Sequence, residues 1–293
     1  MEHAAAHGGT SGKRRATLYV VATPIGNLAD LGQRALATLG SVDAVAAEDT
    51  RVTRRLLAHY GIAKRLIAVH GHNEKRATGS ILALLRDGRS VALTCDAGTP
   101  AISDPGALLV AAARAAGFPV TPVPGPNAAI TALSASGFVT PHHLFYGFLP
   151  ERAAARRRAL AGLAQLPFTL VFYEAPHRVE ECVSDLRAVL GDKRRIVLAR
   201  ELTKLFESVH ACTLAEAADW LAADAVRRKG EFVLIVEGAA GAPAGNDESG
   251  RRALEVLLGE LPLRQAVNLA ARITGERKNE LYRLALELKK RES

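Results

Sequence analysis

The sequence is poor in cysteine, and it contains no long apolar run. Its three cysteines, Cys95, Cys182 and Cys212, are an odd number and form no C-x-x-C pair. This argues against a disulfide framework and against a thiolate zinc site, so we expect no metal and a reducing, cytoplasmic location. No apolar run approaches the roughly 18 residues that a membrane span needs, so we expect no membrane partner.

The signatures of several common enzyme classes are also absent. The sequence has no G-x-x-x-x-G-K-[ST] motif, no G-x-G-x-x-G after its first apolar run, and no H-E-x-x-H. These absences disfavour P-loop nucleotide hydrolysis, NAD binding through the common fingerprint and zincin chemistry. Aromatic residues make up only 5% of the chain, so platforms that stack single bases are few.

Positive charge is abundant and unevenly distributed. The 293 residues carry a formal net charge of +8. Basic residues are concentrated in the segment 264–291 and in a group formed by Arg152, Arg156, Arg157 and Arg158. A solvated helix face explains either group equally well on its own. Two such groups on one basic chain favour a polyanionic partner, because phosphate contacts supply much of the affinity for nucleic acids.

Short apolar runs alternate with helical segments in the first half of the chain. The pattern predicts strands at 18–21, 42–47, 66–69, 90–94 and 120–123, each followed by a helix. Such alternation with almost wholly apolar strands is typical of a parallel sheet that is covered on both faces, here an α/β domain over 17–140. Asp104 is predicted to cap the helix that starts at Pro105, and Asn127 the helix after it.

The rhythm changes after residue 140, and a second α/β domain is predicted over 141–238. Two strand-like runs lie close together near Leu198 and Val209, which indicates a mixed sheet. We expect residues 1–16 to be a flexible leader and 239–250 a linker, since Gly, Ala and Pro cannot build a core there.

The last segment, 251–293, is predicted to be a basic helical module. Its pattern indicates a helix at 263–273, a turn at Gly275 and a second helix at 278–290, in a helix-turn-helix arrangement. We expect a small apolar core in this module, formed by Leu269, Ile273, Leu281, Tyr282 and Leu284.

The strand-to-helix loops are the informative segments, because ligands of open α/β sheets bind at the carboxyl ends of the strands. Four loops are unusual: T-P-I-G-N, E-D-T-R, C-D-A-G-T-P-A-I-S-D-P-G and P-G-P-N. Pro and Gly fix tight turns and let the backbone approach a ligand closely. Any one of these loops, taken alone, is typical of an ordinary tight turn. Several such loops on one sheet edge predict a binding site.

These loops also carry a resemblance to a known family. The sequence resembles the RsmI family of the tetrapyrrole methylase superfamily in the runs LYVVATPIGNLADL, AAEDTR, DAGTPAISDPG, PGPNAAITALSASG, FYEAPHR, ARELTK and RRKGEFVLIVEG. The resemblance covers about 17–237 and continues in the tail, with Cys95 standing where the family usually has Ser. It implies two α/β domains of tetrapyrrole methylase type with the cofactor cleft between them, plus a C-terminal helical module.

The resemblance also implies a reaction and its partners. Members of the family transfer a methyl group from S-adenosylmethionine to the ribose 2′-hydroxyl of a decoding-centre cytidine in 16S ribosomal RNA. We therefore expect the 30S subunit as substrate and, as is common in the superfamily, a homodimer. The RNA-binding residues expected from the basic groups are Arg152, Arg156, Arg157, Arg158, Arg272, Arg277 and Lys278.

The cofactor site that the resemblance implies is built mainly from the loops of the first domain. The expected residues there are Pro24, Gly26, Asp96, Ala97, Gly98, Thr99, Ile102, Ser103, Pro124, Pro126, Ala128 and Ala129. The second domain is expected to supply the other wall through Tyr173, Leu202 and Val236.

A base or a cation near the reacting 2′-hydroxyl should help the reaction, because that hydroxyl is a poor acid. The candidates are Glu48, Asp49, Arg51, His70 and Lys204, the last if burial removes its proton. Each has a structural alternative, such as an ion pair at a helix start, and the sequence does not choose among them.

Two other functions remain open at this point. The superfamily cleft also fits a methyltransferase that acts on a tetrapyrrole precursor, although a small soluble substrate would not need the basic groups. A ribosome-assembly factor that binds RNA without catalysis is the other alternative, and the intact D-A-G-T-P and P-G-P loops count against it.

Overall fold

The computed structural model describes residues 15–239 and 247–291. The first domain alternates strands and helices. They are β1 (Leu18–Val21), α1 (Gln33–Ser41), β2 (Ala44–Ala47), α2 (Thr50–His59), β3 (Arg65–Ala68), α3 (Glu74–Arg86), β4 (Val91–Thr94), α4 (Ala107–Ala115), β5 (Val120–Val123) and α5 (Ala128–Ser134). The strands are parallel, in the order β3-β2-β4-β1-β5, which confirms the predicted parallel sheet.

Both faces of this sheet are covered, because side chains alternate across each strand. On one face Leu18 and Leu93 pack with α3 and α4, and on the other Val21 and Ala92 pack with α1 and α2. Ala16 is also buried in the first of these cores. Ala16, the last residue of the predicted leader, therefore already belongs to the folded domain. Residues 1–14 of that leader lie outside the described residues.

The second domain contains a mixed five-stranded sheet, as predicted. Its elements are β6 (His143–Phe148), α6 (Ala153–Leu163), β7 (Thr169–Glu174), α7 (Val179–Leu190), β8 (Arg195–Arg200), β9 (Ser208–Thr213), α8 (Leu214–Ala222) and β10 (Phe232–Val236). The order is β6-β7-β10-β8-β9, with β6 parallel to β7 and the other pairs antiparallel. One face packs on α6, α7 and α8. The other meets α5 and Ile25 of the first domain, and this contact joins the two domains.

Three helices form the C-terminal module: α9 (Asp247–Glu260), α10 (Leu263–Thr274) and α11 (Lys278–Arg291). Gly275 ends α10 in the left-handed conformation, at the predicted turn. Because α9 begins at Asp247, the predicted linker is shorter than 239–250; residues 240–246 lie outside the described part of the chain.

The core of this module differs from the predicted one. Its buried residues are Leu254, Val267, Ala270, Leu281 and Ala285. Leu284 packs against them, but Leu269, Ile273 and Tyr282 are exposed. The prediction failed at these three positions because α9, which the sequence pattern did not resolve, determines which faces of α10 and α11 are buried. Within residues 15–239 and 247–291, no helix has the length and apolar character to cross a bilayer.

The cap of α4 was also predicted wrongly. Gly106, not Asp104, stands at the N-cap position, and it offers no side chain. The buried carboxylate of Glu74 takes over this role: its Oε1 accepts the backbone N–H groups of Gly106 at 2.9 Å, Leu108 at 3.0 Å and Leu109 at 3.4 Å. The start of α3 thus holds the end of the long loop after β4.

We predict that Glu74→Ala lowers the free energy of unfolding by about 2 kcal/mol, because it leaves buried N–H donors without an acceptor. Glu74→Gln keeps one carbonyl oxygen and should lose less. Urea unfolding followed by circular dichroism measures both. Equal stability of Glu74→Ala and the wild type would mean that water replaces the carboxylate without cost.

Candidate active site

A cavity of about 320 Å³ lies between the two domains, at the carboxyl ends of the first sheet. The first domain lines it with Ile25, Ala97, Gly98, Thr99, Ile102, Ser103, Asp104, Asn127 and Ala128. The second domain lines it with Phe148, Tyr173, Glu174, Ala175, Pro176, Ala199, Leu202, Glu231, Phe232 and Val233. The volume and the mostly apolar lining with a few polar groups are typical of a small-molecule site. We call this cavity the cleft.

Three of the Pro/Gly loops are tied together at the cleft. The N–H of Thr23 donates to the Gly98 carbonyl at 2.8 Å, and the N–H of Gly98 returns a bond to Thr23 at 3.0 Å. The Thr99 hydroxyl donates to the Pro126 carbonyl at 3.2 Å. Gly98 has a φ of +83°, a conformation that a side chain at this position would strain. The convergence that the sequence predicted is thus produced by hydrogen bonds between the loops.

Backbone strain is concentrated on the two sides of the cleft. Among the described residues, the non-glycine positions with positive φ are Ala101, Ser103, Glu201 and Thr203. The first two lie in the loop after β4 and the others in the loop after β8. Such conformations cost about 1 kcal/mol or more each and are typical of ligand-binding loops.

The second domain contributes a wall through Tyr173. Its hydroxyl accepts the N–H of Ala129 at 3.3 Å, and its ring packs against Phe145 and Phe148. Leu202 also lines the cleft, as expected, but Val236 does not. Side chains alternate along β10, so Val233 faces the first domain while Val236 is buried in the core on the opposite face.

Eight of the residues expected at the cofactor site line the cleft: Ala97, Gly98, Thr99, Ile102, Ser103, Ala128, Tyr173 and Leu202. Pro24, Gly26 and Asp96 line a separate, neighbouring cavity. Pro126 and Ala129 support the cleft through the bonds described above. Pro124 lines neither cavity.

Asp104 is the carboxylate in the cleft with the most unusual environment. Burial, followed by the nearby charge of Glu48, raises the pKa of Asp104 to about 6, although a bond to Cys95 acts in the opposite direction. Burial also raises the pKa of the Cys95 thiol, so that it remains protonated and can donate. A carboxylate that titrates near neutrality in a cleft is suited to accept a proton. No signal in the sequence pointed to Asp104 here, because Asp-Pro has the form of a helix start.

The other proposed bases are less suited to that role. Asp49 caps α2 and bonds Arg51, whose guanidinium holds the Asp49 pKa at about 2. Burial raises the pKa of Glu48, which lies close to Asp96 but outside the cleft lining. His70 lines neither cavity, and its backbone N–H donates to the Asn73 side chain.

Two carboxylates favour the charged form of Lys204. Burial favours the neutral amine, but bonds from Nζ to Glu231 at 2.7 Å and Glu201 at 2.9 Å outweigh burial and raise the pKa of Lys204. Lys204 is a candidate base only if burial removes its proton, and these bonds favour the charged form instead. Its side chain packs over Gly26, where any Cβ would collide with it, and so joins the two domains.

The basic groups are only partly available to a partner. Arg156 is 1% exposed and bonds Asp185 at 2.6 Å, so it is not a surface contact. Arg157 bonds the same carboxylate at 2.5 Å but remains exposed. The other expected contacts, Arg152, Arg158, Arg272, Arg277 and Lys278, are exposed.

Four of the cleft residues that the sequence did not reveal are apolar residues of the second sheet: Phe148, Ala199, Phe232 and Val233. A strand residue that faces a ligand has the same sequence pattern as one that faces a core, so no signal marked them. For Glu174 the sequence did contain an indication, because this residue lies in the FYEAPHR run that supports the family resemblance.

Comparisons with known proteins agree with this architecture. The model of the tetrapyrrole (corrin/porphyrin) methylases matches residues 17–218, and that of the RsmI C-terminal HTH domain matches residues 244–289. The chain is 51% identical to the ribosomal RNA small subunit methyltransferase I of Escherichia coli O157:H7, covering 92% of this chain and 94% of that one. It is 53% identical to the protein of the same name from Xylella fastidiosa, covering 91% and 97%.

Solved structures show the same fold at much lower identity. The cobalt precorrin-4 methyltransferase CbiF matches with a TM-score of 0.59 at 18% identity, over 79% of this chain and 98% of that one. The uroporphyrin-III-C-methyltransferase of Thermus thermophilus matches with a TM-score of 0.53 at 23% identity, over 76% and 94%. The chain therefore belongs to the tetrapyrrole methylase family, and within it to the RsmI group that carries this C-terminal domain.

Proposed function

We propose that the protein methylates ribosomal RNA of the small subunit and uses S-adenosylmethionine as methyl donor. The observation that carries this proposal is the pairing, in one chain, of the methylase cleft with the C-terminal module. Relatives that share this pairing over more than nine-tenths of the chain bear the name ribosomal RNA small subunit methyltransferase I.

The cleft residues fit S-adenosylmethionine. Ile25, Ile102 and Leu202 offer apolar contacts, and Ser103, one of the residues with positive φ, lines the cleft with them. Asp104 and Glu231 add polar side chains to this mostly apolar lining. When bound, S-adenosylmethionine supplies an electrophilic methyl group on a positively charged sulfur.

Within the proposed reaction, the chain mainly positions the acceptor and removes its proton. The loops around Gly98 and Asn127 hold the donor, since they line the cleft on the side of the first domain. Asp104 accepts the proton of the attacking hydroxyl, because its raised pKa keeps it a usable base at neutral pH. Correct alignment accounts for a large part of such a barrier reduction.

We assign the 2′-hydroxyl of a cytidine in 16S RNA, within the 30S subunit, as the methyl acceptor. This assignment rests on the resemblance to the RsmI family. We also assign a homodimer. It is supported by large apolar side chains left exposed on the second domain, Leu205 and Phe206 after β8 and Phe148 on β6. A second copy of the chain would cover such a surface.

The decisive experiment offers labelled S-adenosylmethionine with 30S subunits, naked 16S RNA or a tetrapyrrole precursor. Nucleoside analysis should find 2′-O-methylcytidine in RNA from 30S subunits. Label in the tetrapyrrole alone would overturn the proposal. RNA binding with no transfer to any substrate would indicate an assembly factor without catalytic activity.

The exposed end of the C-terminal module gives a further prediction. Changing Arg277 and Lys278 together to Glu should weaken RNA binding and lower the slope of log affinity against log salt by about two, one for each lost phosphate contact. Filter binding of 30S subunits at several salt concentrations measures it. Arg89→Glu, an exposed change just before β4, at the amino ends of the strands and so away from the cleft, is the control. An unchanged slope would remove the module from the RNA surface.

A further inference from the structure

The loop after β8, residues 201–207, reaches the first domain at the edge of the cleft. Leu202 in this loop lines the cleft and belongs to the same buried cluster as Ile25 of the first domain. The residues on either side of Leu202, Glu201 and Thr203, have φ of +51° and +66°. Such conformations persist only where the surrounding structure holds them, so this loop is held in place by its contacts.

Lys204 extends the contact between the domains beside the cleft. A Cβ placed on Gly26 would overlap Lys204 Cγ and would lie 3.0 Å from its Cε, so the stem of the lysine lies directly against the Gly26 backbone. Lysine stems commonly cover other groups in this way while the ammonium keeps polar partners. Because Gly26 is the chain neighbour of Ile25, the same short loop meets the second domain at two successive residues.

The ammonium group of Lys204 is anchored on the second domain. Its Nζ donates to Glu231 Oε2 at 2.7 Å and to Glu201 Oε1 at 2.9 Å. The N–H of Glu231 also donates to Glu201 Oε1 at 2.9 Å, and the N–H of Glu201 donates to the Glu231 carbonyl at 2.9 Å. Glu231 itself lines the cleft. Lys204 is therefore held at both ends, by its stem against the first domain and by its ammonium beside a cleft residue of the second.

We propose that Lys204 is a positioning residue for the methyl donor. Its stem holds the loop around Gly26, and thereby Ile25, against the second domain, and its ammonium holds Glu231 on the opposite wall. This inference rests on the part of the proposed function that assigns S-adenosylmethionine as the donor. Lys204 does not line the cleft, so it acts through these neighbours. Walls that are fixed before the ligand arrives lose little freedom on binding, and this increases the affinity.

Two substitutions test the same contact from its two sides. Lys204→Ala should weaken the binding of S-adenosylmethionine about tenfold, and Gly26→Ala should do the same, because its Cβ forces the loop away from the lysine stem. The double variant should bind within about threefold of Lys204→Ala alone, since the Cγ that the new Cβ meets is then absent. The Thr203 hydroxyl, 3.0 Å from that Cβ, belongs to a side chain that can adjust. Calorimetry on the full chain measures each affinity.

Two further readouts distinguish positioning from general damage to the fold. In the free protein, Lys204→Ala should increase amide hydrogen exchange in the segment 23–27 while exchange in β7 and β10 stays as in the wild type. At saturating donor its kcat on 30S subunits should stay within about threefold of the wild type, because Lys204 lies outside the cleft lining. Lys193→Ala, an exposed lysine just before β8 and so at the opposite end of that strand, is the matched control and should leave both readouts unchanged.

Three results would overturn the inference: wild-type donor affinity in Lys204→Ala, an equal loss from Gly26→Ala with and without Lys204, or a fall in kcat at unchanged donor affinity. Each would leave the proposed function standing, provided that the wild type binds S-adenosylmethionine and methylates RNA of the 30S subunit. A wild type without affinity for S-adenosylmethionine would overturn both.

Discussion

Asp104→Asn is expected to lower kcat for methyl transfer about 100-fold and to leave the affinity for S-adenosylmethionine within about threefold. The amide keeps the size and polarity of the carboxylate but cannot take up a proton. Because Asp104 lies in the cleft lining with a raised pKa, its loss removes the acceptor for the hydroxyl proton rather than a binding contact. Single-turnover rates on 30S subunits measure kcat, and calorimetry measures the affinity.

The pH dependence follows from the same group. The Asp104 pKa of about 6 means that the carboxyl is protonated, and so inactive as a base, at lower pH. The wild-type rate should therefore fall as the pH drops below about 6, and Asp104→Asn should lack this acidic limb.

Stability should change in the opposite sense to activity. A carboxyl with a pKa raised by folding contributes stability at low pH and loses that contribution as the pH rises through about 6. Asp104→Asn should therefore be more stable than the wild type by about 1 kcal/mol at pH 8, with solvent screening allowed for.

Asp192→Asn provides the matched control, because Asp192 is an exposed carboxylate bound to Arg187, remote from the cleft lining. It should keep the wild-type kcat and pH profile. A kcat for Asp104→Asn within a few-fold of the wild type would show that another group, or water, accepts the proton.

The sequence predicts the architecture well because the fold is made of local patterns. Apolar strands that alternate with helices identify the parallel sheet, and closely spaced strands identify the mixed one. The same reasoning locates the loops of the cleft, since Pro and Gly are needed where the chain turns at the strand ends. Gly98 and Thr99 are found where that argument places them.

What the sequence could not provide are contacts between distant segments. The loop that ends at Gly106 is anchored by Glu74, which is 32 residues away. Arg156 looks like part of a basic patch until α7 brings Asp185 beside it, 29 residues along the chain. Each case is an electrostatic pairing created by packing, which composition and periodicity do not encode.

Gly98→Trp is expected to weaken S-adenosylmethionine binding more than 100-fold while RNA binding stays nearly unchanged. Two effects combine: the φ of +83° strains any side chain, and an indole at this position would fill the floor of the cleft. The exposed basic residues that we assign to RNA lie on other elements, so they should be unaffected. Calorimetry with S-adenosylmethionine and filter binding of 30S subunits measure the two affinities.

Two variants separate these effects. Gly88 has a φ of +81° with open space around it, in the turn between α3 and β4 at the amino ends of the strands, so Gly88→Trp carries the same strain without touching the cleft. In Gly98→Ala the new Cβ would lie 3.5 Å from Ile25 Cγ2, an ordinary contact, which leaves the cleft open. Both should retain binding of S-adenosylmethionine to within about tenfold, since left-handed backbone costs roughly 1–2 kcal/mol. Retained binding in Gly98→Trp would place the donor elsewhere, and joint loss of RNA binding would mean that the cleft and the RNA surface are one site.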